Sequence, residues 1–208
     1  MEKILIAGAH GTTGQKVVDL VNESQYFIPV AMVRNENQVE RFKSKGIETV
    51  LADLEENLDH AVQNIDKVVF AAGSGGKNVV AVDQEGAKRL IDASKKADIK
   101  KFVMLSSLGA ENPEESNQLQ DYLKAKHNAD EYLKESGLAY AIVRPGTLNN
   151  ESGNGKIELA QSLDKRGEIP RSDVAQTLVR ALHDDTAIDS TFEIISGEIL
   201  IGEALEQA

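Results

Sequence analysis

At 208 residues, with 41% apolar and 27% charged side chains, the chain has the size and composition of one soluble domain with a real core. A formal charge of −11 argues against an extended nucleic-acid footprint or attraction to anionic membranes, although one local basic pocket can still take an anionic ligand. The absence of cysteine excludes disulfides, thiolate metal sites and cysteine nucleophiles, and four histidines without H-x-x-x-H or H-x-H spacing give no reason to expect a transition-metal site.

From Met1 the chain runs directly into the strand-like Lys3-Ile4-Leu5-Ile6-Ala7, with neither the apolar core nor the cleavage pattern of a signal peptide. No stretch approaches the roughly 18 apolar residues of a membrane span, so the cytoplasm is the expected compartment. Short β-rich apolar runs then alternate with longer amphipathic stretches, the pattern of parallel strands joined by helices. Strands are expected near 3–7, 27–33, 47–51, 67–72, 101–106 and 138–143, with helices near 12–24, 36–45, 56–64, 78–97 and 118–136. Ser136-Gly137 closes the fifth helix, and Asn112-Pro113 marks a loop. After Pro145 come a polar loop from Asn149 to Gly155, two candidate strands near 156–160 and 164–169, a helix over 172–183, a last strand near 191–195 and a short tail. No linker or repeat intervenes. The expectation is one α/β domain over 1–208, a three-layer, mostly parallel twisted sheet with helices on both faces. The segment from about 145 to 208 then lies on the substrate side, and loops 74–78, 108–117 and 146–156 build most of any substrate site.

The first strand-to-helix turn reads Gly8-Ala9-His10-Gly11-Thr12-Thr13-Gly14. Gly8 permits the tight turn, Gly11 lets the backbone approach a pyrophosphate, and Gly14 lets the helix pack close to the sheet with its amides toward the phosphates. At the first β-to-α crossing of an alternating chain, this triplet predicts a Rossmann-type dinucleotide site. His10, Thr12 and Thr13 lie in the same loop and are candidates for contact with the cofactor, read as loop surface and helix cap rather than chemistry. The second strand ends Met32-Val33-Arg34-Asn35 with no acid before Glu36. Arg34 is suited to a 2′-phosphate or to stacking on adenine, which favours NADP(H) over NAD(H). Asp53, followed by Leu54, can accept from the adenine amino group or serve as an ordinary helix N-cap. Ala71-Ala72-Gly73 lets backbone lie near a ribose.

With these motifs in place, the chain resembles the small, atypical branch of the short-chain dehydrogenase/reductase superfamily over essentially its whole length. Besides the glycine loop, the resemblance rests on Phe102-Val103-Met104-Leu105-Ser106-Ser107, Tyr122-Leu123-Lys124-Ala125-Lys126, Arg144-Pro145-Gly146-Thr147 and Arg171-Ser172-Asp173-Val174-Ala175. It implies Ser107, Tyr122 and Lys126 as the catalytic set, with Ser106 competing for the serine role. Tyr122 and Lys126, four apart, share one helix face, and an ammonium beside a phenol favours proton exchange. Lys126 also serves a nicotinamide ribose. Arg144, Pro145, Gly146 and Thr147 would flank the nicotinamide, unless Arg144 is a structural ion-pair partner. The superfamily's helical asparagine aligns with Asp83, an aspartate of the kind the atypical branch carries. The extended branch's substrate domain is missing, which disfavours bulky nucleotide sugars.

The resemblance implies an NADP(H)-dependent reductase or dehydrogenase for a small carbonyl, quinone or flavin-like acceptor. The alternatives are a non-catalytic NADP(H) sensor of the NmrA type and an epimerase/dehydratase-like protein. Lys77, Asn78, Asn149 and Asn150 are candidates for the mouth of the site. The substrate, and whether the chain works as a monomer or a homodimer, are not readable from sequence.

Overall fold

The structure is a computed structural model describing residues 1–208. Strands rich in Val, Ile, Phe and Met form its centre: β1 (Glu2–Ala7), β2 (Phe27–Val33), β3 (Glu48–Leu51), β4 (Lys67–Phe70), β5 (Lys101–Leu105), β6 (Tyr140–Pro145) and β10 (Ser190–Ser196). They pair in parallel, and β8 (Lys156–Ala160) and β11 (Ile199–Leu200) extend the same sheet antiparallel, in the order β11-β8-β10-β6-β5-β4-β1-β2-β3. The strand order reverses between β1 and β4, which opens a crevice at the carboxyl ends of the strands. β7 (Thr147–Asn149) and β9 (Glu168–Pro170) form a separate two-stranded parallel pair.

The central strands β1, β2, β4, β5 and β6 are buried on both faces, as a parallel sheet between helical layers requires, while the edge strand β3 is partly exposed. Ile4 and Ile6 point into the core shared with α1 (Thr12–Asn22) and α5 (Arg171–Arg180). Leu5 and Ala7 point into the opposite core, shared with α3 (Ala87–Lys96) and α4 (Gln120–Lys134). The short α2 (Glu36–Lys43) follows β2. No helix is long and apolar enough to cross a membrane.

Four expectations need correction. Residues 56–64 form consecutive turns, not a helix: Asn57 Oδ1 accepts the Asp59 N–H at 3.0 Å and Asn64 takes φ 59°, while Leu58, Ala61 and Val62 anchor the segment in the core. The helix expected over 78–97 begins as a π-helix, Val79–Gly86, and becomes α-helical only at Ala87. The strand expected over 164–169 is confined to Glu168–Pro170, because the charged Asp164-Lys165-Arg166-Gly167 turns before it. The tail adds β11 and a short α6 (Ile201–Leu205), which buries Ile201, Ala204 and Leu205.

Candidate functional site

The crevice is a cavity of about 1080 Å³ along the carboxyl ends of β1, β2, β4 and β5, at the upper end of ordinary ligand pockets (roughly 300–1,000 Å³). Its floor is the glycine loop. Gly8 has φ +83°, and a Cβ there would lie 2.6 Å from the Ala72 backbone, so both the turn and the approach of the 71–73 strand end require glycine. A Cβ on Gly14 would sit 2.1 Å from Gly8 O. Gly14 is therefore behind the wall, allowing α1 to start against the loop, while Gly8, His10, Gly11, Thr12 and Thr13 line the cavity.

The first turn of α1 has Gly11 as N-cap, no side-chain cap and no acidic residue. Its free amides and the positive end of its dipole face the cavity and suit a pyrophosphate. Gln15 braces the loop through His10 O at 2.6 Å and is gripped by Arg41 at 2.5 Å.

At one end lie Arg34, exposed, and Asp53 with Ala52 and Leu54. Gln38 Oε1 accepts the Arg34 N–H at 3.0 Å, which fixes the backbone from which the guanidinium extends. Asp53 caps a turn rather than a helix, its Oδ1 taking the Glu55 N–H at 3.0 Å. Ala71, Ala72 and Gly73 form the middle of the wall, beside Ser74, whose Oγ is buried without a partner.

At the other end α4 presents Tyr122 and Lys126 to the cavity, with Leu119 one turn earlier. Lys126 is 3% exposed. Its Nζ lies 3.4 Å from Asp83 Oδ1, 3.3 Å from Leu105 O and 5.8 Å from the centre of the Tyr122 ring. The π-helix delivers Asp83, which is buried and accepts the Ser74 N–H at 3.0 Å through Oδ2. Asn128 ties α4 to the same segment through Gln84 at 2.7 Å.

Of the two serines, Ser106 lines the cavity and Ser107 does not. Ser106 Oγ donates to Asp130 Oδ2 at 2.8 Å, whereas Ser107 Oγ makes only a 3.4 Å contact to Leu108 O. Asp130, fully buried, is paired at 2.9 Å with Arg144 Nε, and Arg144 continues to Glu111. Burial pushes the Asp130 carboxyl up from the usual range, against the pull of Arg144. For Arg144 burial works against the charge, but Asp130 and Glu111 outweigh it and raise its pKa. Arg144 is thus an internal ion-pair partner behind the wall. Pro145, Gly146 and Thr147 are also off the cavity. Gly146 is small for packing, since a Cβ would meet Gly167 O at 2.3 Å.

Leu148 and Arg171 complete this end. Arg171 was legible as part of a motif but carried no assigned role, and Leu119, Leu148, Met32 and Val82 gave no signal at all. The loop after β7 is clamped to the start of α5: Ser172 Oγ accepts the Gly153 N–H at 3.0 Å and buried Asp173 accepts that of Gly155 at 3.0 Å. Lys77 and Asn78 lie on the wall; Asn149 and Asn150 do not. Four cations (Arg34, Lys77, Lys126, Arg171) against two carboxylates (Asp53, Asp83) make this a positive pocket in an acidic protein.

Fold and crevice together define a dinucleotide-binding Rossmann domain. Residues 8–185 match the model of the NAD(P)H-binding family, and the chain belongs to it. It is 40% identical over 99% of both chains to an uncharacterised sugar epimerase, YhfK, of Bacillus subtilis. A Bacillus halodurans structure described provisionally as an NAD-dependent epimerase/dehydratase superimposes with a TM-score of 0.94 at 37% identity, covering all of both chains. Sanguinarine reductase of Eschscholzia californica is 27% identical over 97% of this chain and 91% of its own.

Proposed function

We propose that the protein is a cytoplasmic NADPH-dependent reductase of a small carbonyl, quinone or flavin-like acceptor. The observation that carries this reading is the phenol of Tyr122 on the same wall as the buried Lys126 ammonium and the glycine loop. The residues present fit the dinucleotide: the loop is a cradle that a Cβ would fill, the α1 amides are uncapped, and the orphaned Ser74 hydroxyl lies where a ligand hydroxyl can satisfy it.

Held by the glycine loop, the uncapped α1 amides and Arg34, NADPH would supply the hydride that reduces the acceptor. Tyr122 gives its phenolic proton to the acceptor oxygen, and solvent returns a proton to the tyrosinate. Lys126 holds the charge that stabilises that tyrosinate, and Asp83 with Leu105 O holds Lys126 in position. Ser106, whose single proton goes to Asp130, offers its oxygen as an acceptor at the wall. Arg34 selects the 2′-phosphate.

The names of the 40%-identical relative and the Bacillus halodurans structure favour an epimerase as the second reading. Against it, residues 145–208 are absorbed into β7 to β11, α5 and α6 and form no separate lobe over the cavity. The test is Tyr122→Phe. NADPH oxidation across a panel of aldehydes, ketones, quinones and flavins should fall about 10²–10⁴-fold while the NADPH Kd stays within twofold. Full turnover in the variant overturns the assignment of Tyr122. Wild-type protein that binds NADPH tightly and oxidises it with no acceptor points instead to a sensor.

A further inference from the structure

We propose that Arg171 recognises an anionic group on the acceptor, and that the acceptor is a flat, mainly apolar carbonyl compound or quinone bearing a carboxylate. This rests on the reductase reading above and adds the substrate's chemistry to it.

Each buried cation near the cavity except one is matched by a carboxylate. Lys126 has Asp83, and Arg144 has Asp130 and Glu111. Arg171, half-buried on the wall, has only neutral partners: its Nη1 donates to Leu148 O at 3.2 Å and Asn150 Oδ1 at 3.0 Å. A guanidinium carries five N–H donors in a fork that matches a carboxylate, so Nε and Nη2 remain unclaimed. The two acids on the wall are occupied elsewhere, Asp83 by Lys126 and Asp53 by the Glu55 amide at the far end. The dinucleotide's pyrophosphate has its own donors in the uncapped start of α1.

The partners that hold Arg171 belong to β7 and the residue after it, and Leu148 of β7 walls the acceptor end. The neighbouring surface there is apolar and partly aromatic: Leu148, Tyr122 and Leu119, a leucine left 56% exposed. An unpaired guanidinium beside such a surface fits a flat apolar body with one negative substituent.

The probes are 4-formylbenzoate and its methyl ester, which share ring and carbonyl and differ in charge. With saturating NADPH, wild-type kcat/KM should favour the acid, and the acid-to-ester ratio should fall about tenfold or more in Arg171→Gln. A ratio that stays constant while both rates drop makes Arg171 a loop tether and overturns the proposal. A constant ratio with a weakened NADPH Kd assigns its charge to the cofactor and overturns it equally. If Arg171→Gln does not fold, wild-type salt dependence decides: between 0.05 and 0.5 M NaCl the preference for the acid should shrink, and a wild type indifferent to the charge refutes the inference. If neither aldehyde is reduced and the wider panel of ketones, quinones and flavins is inert as well, the reductase reading has failed. Calorimetry of 4-formylbenzoate on NADP⁺-saturated protein then tests Arg171 alone: saturable binding that Arg171→Gln weakens tenfold sustains it, and no binding ends it.

Discussion

The two edges of the central sheet both bury lysines, but they use them differently. At the amino edge Lys67 and Lys101 stand in register on β4 and β5, each at most 2% exposed. Lys67 Nζ meets Leu182 O at 2.8 Å, Glu2 at 2.7 Å and Asp184 at 2.6 Å, while Lys101 Nζ meets His183 O at 2.8 Å and Thr186 O at 2.5 Å. These carbonyls follow the C-terminal end of α5, where cations are favoured, so both ammoniums are committed to holding that helix end against the sheet. At the carboxyl edge Lys126 has one carboxylate, one carbonyl and an open cavity. Burial of a charge alone therefore says little about function; spare bonding capacity beside an accessible volume says much more.

The sharpest break of this comparison is Lys126→Met. Turnover should fall at least about 100-fold, and unfolding free energy should drop by about 3–5 kcal/mol because Asp83 is stranded in the core. Adding Asp83→Asn should recover most of the stability and none of the turnover; recovery of both would return Lys126 to a structural role. Lys67→Met at the opposite edge should cost about 2 kcal/mol, less because Glu2 and Asp184 can turn to water. Its NADPH Kd should stay within twofold, and a larger change would show that the two edges communicate. Arg34→Ala should weaken NADPH about tenfold more than NADH, and unchanged selectivity removes Arg34 from the site.

The smallest effect concerns pH. Burial, together with the neighbouring Lys67 charge, pushes the Lys101 ammonium down to about 8 from 10.5. Between those values the unfolded chain keeps a proton that the folded chain releases, so stability from this group rises with pH across the window and is lowest below it. The His183 and Thr186 carbonyls offset part of the penalty. The stability of wild type relative to Lys101→Met should rise by about 1 kcal/mol between pH 7.5 and 10.5, followed by urea denaturation. A flat difference would mean that the carbonyls fully compensate the burial.

Much of this architecture is visible in the residues. Runs such as Lys3–Ala7 and Phe102–Leu105 bury both faces, and the glycine triplet falls at the first crossover, so strands and cofactor corner follow from local pattern. The spacing of Tyr122 and Lys126 carries directly into α4. What failed to show depends on distant partners. Residues 56–64 have a helical distribution of Leu58, Ala61 and Val62, yet Asn57 and Asn64 divert the backbone into turns. Which of Ser106 and Ser107 lines the cavity is a matter of one residue's register, and Ser106, the one that does, is tied to Asp130 on a helix 24 positions away. The neutral surroundings of Arg171 come from a loop about 20 positions earlier in the chain.

The π-helix before α3 has an evolutionary corollary. Wider turns of this kind hold one residue more than an α-helix needs. Excising a single residue between Asp83 and Ala87, such as Glu85, would let regular winding run unbroken into α3. It would also swing Asp83 about 100° around the axis, away from Lys126. A lineage could thus gain a tidier helix through one codon's deletion and lose the carboxylate that steadies its ammonium.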